Sequence, residues 1–123
     1  WEAMMYAAAK KVDNLISTVD LNGQLIDGST NNVLSLGDLK AKWLAFGWDV
    51  LETNGNKMSE IVETLNLAKS HSGKGKPVVI LMKTEMGAGV DFMMGSHKWH
   101  GVAPNDEQLK TALSQLPETM GDY

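Results

Sequence analysis

Gly73-Lys74-Gly75-Lys76-Pro77-Val78-Val79-Ile80-Leu81-Met82-Lys83 decides the fold. Glycines and Pro77 break the chain, and from Pro77 to Lys83 a β-branched apolar run follows without polar alternation. A strand with one wet face alternates polar and apolar residues, whereas an unbroken apolar strand is covered on both faces. Coverage of that kind belongs to parallel strands joined by helical crossovers. The run therefore predicts an α/β structure, a parallel sheet sandwiched by helices.

The neighbouring segments agree. Upstream, Lys57 to about Ser70 predicts a helix that lays Met58, Ile61, Val62, Leu65 and Leu67 or Ala68 on the sheet. Trp48 to Thr53 reads as a strand, and a helix from about Leu36 to Phe46 follows Ser35 and stops at Gly47. Leu21 to Asn32 is rich in Asn, Asp, Gly, Ser and Thr and reads as a polar loop. Before it lie a strand from Asn14 to Asp20 and an alanine-rich helix from Glu2 to Lys11. A last helix runs from about Asn105 to Gln115. Helical periodicity is already under way at Trp1, so the chain reads as a piece that lacks an upstream part.

The 123 residues suit one domain with one core. A net charge of −4 supplies no basic field for nucleic acid. Without cysteine there are no disulfides, thiolate metal sites or cysteine nucleophiles, which is compatible with the cytoplasm. No apolar run approaches a membrane span, so no membrane partner is expected.

In open parallel sheets ligands bind beyond the carboxyl ends of the strands. Two loops follow predicted strands there, Leu21 to Asn32 and Thr84 to Gly101, and become candidate walls of one site. The second holds Gly87, Gly89 and Gly95, then His97-Lys98-Trp99-His100-Gly101. In the first, the Asn22 amide and a backbone carbonyl two residues later are hard oxygen donors suited to Mg2+ or Ca2+, though too few to hold either alone. An Asn-Gly pair after a strand is equally a plain turn. Ile26 and Met86 read as core, Glu2 as a helix-dipole partner, His97 as an exposed loop histidine and His71 as solvated. Eight methionines and four tryptophans, among them Met93, Met94 and Trp99 in loops, suit core filling or contact with another chain.

Trp1-Glu2-Ala3, Val12-Asp13-Asn14-Leu15, Val19-Asp20-Leu21-Asn22-Gly23-Gln24 and Ile26-Asp27-Gly28 resemble the second half of the thiamine diphosphate signature of transketolases. The glycine loop and Trp99-His100-Gly101 are similar to the far wall of that family's site, and the similarity runs on to Gly121-Asp122-Tyr123. It is closest to the N-terminal subunit of split bacterial transketolases, whose pyrophosphate-binding and pyrimidine-binding domains are separate chains. The resemblance implies that residues 1–123 are the C-terminal part of a pyrophosphate-binding domain. It implies Asn22 and the Gln24 carbonyl as metal ligands, with Ile26 and Met86 against the thiazolium ring. His100 becomes the histidine that reaches ring and substrate, and Glu2 an interface glutamate linking two cofactors.

The resemblance further implies sugar phosphate substrates, a C-terminal partner subunit and a dimer of heterodimers. The family's Gly-Asp-Gly, with its charged metal ligand, would precede Trp1, and the activating glutamate would come from the pyrimidine domain. Residues 1–123 alone are therefore expected neither to bind the cofactor tightly nor to turn over. Other thiamine diphosphate enzymes, namely deoxyxylulose phosphate synthase or a 2-oxoacid dehydrogenase α subunit, and a non-catalytic interaction module are the alternatives.

Overall fold

A computed structural model describes residues 1–117 of the chain, so Gly121-Asp122-Tyr123 lies outside the described residues. Two compact units divide it: Trp1–Asn22 with Ser35–Thr84, and Gly23–Leu34 with the chain from Glu85 onward.

The first unit is the predicted layer structure. Strands β1 (Ile16–Leu21), β4 (Asp49–Asn54) and β5 (Val78–Lys83) form a parallel sheet in the order β1-β5-β4. The central place of β5 explains its composition. Val78, Val79, Ile80 and Leu81 are all buried because each neighbours a strand on both sides and a helix layer on each face. On one face α4 (Met58–His71) sets Ala68 and Leu65 against Val78 and Ile80. On the other, Val79 and Leu81 meet Met4 and Ala7 of α1 (Glu2–Ala9), with Trp43 of α3 (Leu39–Ala45) and Trp48 beside them. The Trp48 indole donates to the Met4 carbonyl at 2.9 Å and packs edge-on to Trp43 at 4.7 Å.

Local chemistry moved several boundaries. Helix α3 starts at Leu39 rather than Leu36, because Asp38 caps it by accepting from the Ala41 N–H at 2.8 Å, while Gly37 (φ +57) turns the chain just before. It ends as expected at Gly47 (φ +89): the Trp48 N–H reaches the Trp43 carbonyl and the Gly47 N–H reaches Leu44, the pairing of a Schellman motif. Helix α1 stops at Ala9, short of Lys11, whose φ of +51 cannot continue a right-handed helix. The apolar face expected for α4 is narrower than its sequence suggests, since Met58, Val62 and Leu67 are exposed.

The second unit holds what reads from sequence as a plain polar loop. Gln24–Leu25 (β2) and Gly28–Ser29 (β3) pair antiparallel about a two-residue turn at Ile26 and Asp27, and a single helical turn follows, α2 (Thr30–Val33). Gly28, at φ +148, takes a conformation only glycine adopts readily. From Glu85 the glycine loop passes through a 3₁₀ turn, His97–Trp99, to helix α5 (Asp106–Gln115). That helix opens on a capping box between Asn105 and Gln108.

Candidate active site

In the first unit the carboxyl ends of β1 and β5 are tied by side chains. Thr84 Oγ1 donates to Asp20 Oδ1, and Asn22 Nδ2 lies 3.4 Å from Asp20 Oδ2. The NH2 arm of the Asn22 amide is thereby turned toward the carboxylate, which sets its oxygen, the hard donor, on the other arm. A cleft of about 280 Å³ lies at the carboxyl ends of β4 and β5, lined by Glu52, Thr53, Asn54 and Lys83. The Lys40 ammonium, 2.5 Å from Glu52 Oε2, holds the Glu52 carboxyl below its ordinary value and is itself raised. Lys83 stands 3.7 Å from the other Glu52 oxygen. Glu2 is on the surface, its side chain 92% exposed, and a backbone hydrogen bond lowers its pKa.

Gln24, Ile26, Met86, His97 and His100 all belong to the second unit, where the two predicted loops meet. Gln24 Nε2 donates to the Gly95 carbonyl at 3.4 Å, and His97 Nδ1 lies 3.1 Å from the Ile26 carbonyl. Ile26 does not pack in a core: it is 69% exposed at the tip of the hairpin, where Gly, Asn or Asp is the ordinary choice. Met86 is half-buried, and His100 is exposed directly after the 3₁₀ turn.

The glycines serve a folded loop rather than a slack one. A Cβ on Gly87 (φ +73) would fall 2.6 Å from the Met93 carbonyl, and one on Gly89 (φ +94) would meet Leu116 at 2.9 Å. Asp91 accepts from Gln115 Nε2 at 2.8 Å while its own N–H donates to Gln115 Oε1 at 2.8 Å, pinning the loop to α5. Trp99 donates its indole N–H to the Phe92 carbonyl at 2.8 Å and meets the Phe92 ring edge-on at 5.3 Å. It serves its own loop.

Two expectations about histidines change. His97 is half-buried and hydrogen-bonded, not an exposed loop residue. His71 is not simply solvated, for it stands 3.4 Å from Asp49 Oδ2 with its side chain 31% exposed. The Asp20–Thr84 tie and the Asp91–Gln115 pair escaped the sequence reading. An acidic residue at a strand end was the one signal for Asp20, and nothing local marks a pair 24 residues apart.

Among the described residues no group of three or more His, Asp or Glu side chains is placed to hold a metal ion. Among the same residues no helix is long and apolar enough to cross a membrane.

The first unit is an open parallel α/β sheet, a class of fold in which ligands bind at the carboxyl ends of the strands. Residues 1–119 match the family described as "Transketolase, thiamine diphosphate binding domain". The chain belongs to the transketolase family. It is 39% identical over 118 residues to an apulose-4-phosphate transketolase subunit of Phocaeicola vulgatus, covering 96% of this chain and 41% of that protein. It is 38% identical to the 6-deoxy-6-sulfo-D-fructose transketolase subunit SqwG of a Clostridium species, over 94% of this chain and 42% of that protein. The chain thus spans about two fifths of these relatives. Among solved structures, the transketolase of Campylobacter jejuni superposes with a TM-score of 0.83 at 34% identity, over 93% of this chain and 17% of that one.

Proposed function

We propose that this chain forms the C-terminal part of the pyrophosphate-binding domain of a two-chain transketolase. In this reading the assembly transfers a two-carbon ketol unit from a ketose phosphate to an aldose phosphate, using thiamine diphosphate with Mg2+ or Ca2+. The partner is a C-terminal subunit carrying the pyrimidine-binding domain, and two such pairs form a dimer of heterodimers in the cytoplasm. Both curated relatives above are named as transketolase subunits, which supports a division between chains.

The observation that carries the site is Ile26. Its apolar side chain, 69% exposed on a hairpin tip, is open for a ring to be laid against it, and such a contact would remove that surface from water. Met86, half-buried in the same unit, would extend that water-excluding wall. The donors proposed for the metal, the Asn22 amide oxygen and the Gln24 carbonyl, are oxygens only, a set that fits Mg2+ or Ca2+ rather than a softer ion. Two neutral donors do not complete an oxygen shell for either ion, so this reading takes the charged ligand from elsewhere in the assembly. When bound, thiamine diphosphate supplies the electron sink for breaking and making the carbon bond. His100 takes and returns the proton at the sugar oxygens, which imidazole can do near neutral pH. Glu2, exposed on the surface, would face the neighbouring protomer.

In the complete assembly, His100→Ala lowers kcat by about a hundredfold or more while cofactor affinity changes little. Asn22→Ala instead raises the Mg2+ and cofactor concentrations needed for half-maximal rate. Steady-state assays with cofactor titration measure both, and equal, negligible effects would remove these residues from the site.

A further inference from the structure

We propose that His97 is a positioning residue: its Nδ1–H, donated to the Ile26 carbonyl, holds the hairpin tip that the functional reading above sets against the cofactor ring. A carbonyl oxygen has no proton to give, so the 3.1 Å contact requires the hydrogen on Nδ1 and leaves the lone pair of the neutral ring on Nε2. The hairpin needs such a brace. Its two strands have two residues each and two paired positions, closed at the open end by the Thr30 N–H on the Gly23 carbonyl at 2.9 Å; so short a hairpin is marginal in water, and Ile26 lies beyond the last pair. A second link, from Gln24 Nε2 to the Gly95 carbonyl, is long at 3.4 Å.

The other end of the brace is firm. His97 opens a 3₁₀ turn whose Trp99 indole is bonded to Phe92, and the Phe92 N–H donates to Asp91 Oδ1 at 2.6 Å. Asp91 is in turn pinned to Gln115 of α5. The His97 contact thus links α5 to the tip of a short hairpin.

Three substitutions in the complete assembly separate this role from proton transfer or mere bulk. An asparagine amide nitrogen takes the place of Nδ1, whereas a glutamine amide extends to the place of Nε2. His97→Asn therefore keeps the brace, while His97→Ala and His97→Gln lose it. Hydrogen exchange without cofactor should quicken over residues 23–34 in the Ala and Gln variants and stay as in the parent for Asn. Titration with thiamine diphosphate and Mg2+ should show Kd raised about five- to tenfold for Ala and Gln, and within about twofold of the parent for Asn. Unchanged exchange in all three, or retention by Gln and not by Asn, overturns the proposal. So does an Asn variant as impaired as Ala. If the exchange pattern holds but the parent assembly binds no thiamine diphosphate, the functional reading falls and with it the purpose of the brace, while the brace itself stands.

Discussion

At Gly87 the loop passes so close to itself that no side chain fits. The residue sits at φ +73, and any Cβ would meet the Met93 carbonyl carbon and oxygen at 2.6 Å. Gly87→Ala combines left-handed strain of about 1–2 kcal/mol with a backbone clash, so the urea midpoint should fall by at least that equivalent. Gly73, also left-handed at φ +78, has nothing within 4 Å of a Cβ, and Gly73→Ala should lose the strain alone. An equal loss at both positions would argue against the close approach. At this scale sequence was uneven as a guide. Glycines after an apolar run announced a shaped loop, because only glycine takes these conformations freely. His97 gave no such sign, since its partner carbonyl lies 71 residues earlier and a backbone oxygen leaves no mark on composition.

Among the elements, β5 bears the most. Ile80 is 1% exposed, with a strand on either side and α4 across its face. Ile80→Ala should cost about 2–5 kcal/mol, read from denaturant unfolding, because neighbours fixed in a sheet cannot collapse into the space. Helix α3 and β4 are joined by Lys40 and Glu52. The Glu52 carboxyl is lowered, so the unfolded chain binds its proton more readily and the pair stabilises the fold above the ordinary carboxylate range. That contribution fades as pH falls through the depressed value. The stability gap between the parent and Glu52→Gln should therefore shrink on acidification, and shrink with salt at neutral pH. Strand and helix types were legible because burial on two faces and 3.6-residue periodicity are written locally. Their ends shifted where caps intervened, as Asp38 did for α3. The hairpin at Gln24–Ser29 was hidden, because Ile26-Asp27 is not a usual turn pair.

For the whole molecule, what matters is what 123 residues can do alone. The residues proposed as metal ligands are an amide and a backbone carbonyl, and no acidic cluster stands among the described residues. Neutral donors alone bind Mg2+ weakly. Isothermal titration of the isolated chain with thiamine diphosphate and Mg2+ should therefore show no tight binding. Micromolar or tighter binding would mean that these residues suffice.

Sequence by itself determined the α/β class, the central buried strand, the helix periods and the family, because each is written in contiguous residues. Only the tertiary structure decided that Ile26 is exposed on a hairpin tip rather than packed in a core, and that His97 grips its carbonyl. It alone tied Asp20 to Thr84 and Asp91 to Gln115. The reason is physical. Periodicity and burial act along the chain, whereas these hydrogen bonds join residues far apart in sequence and exist only once folding has brought them together.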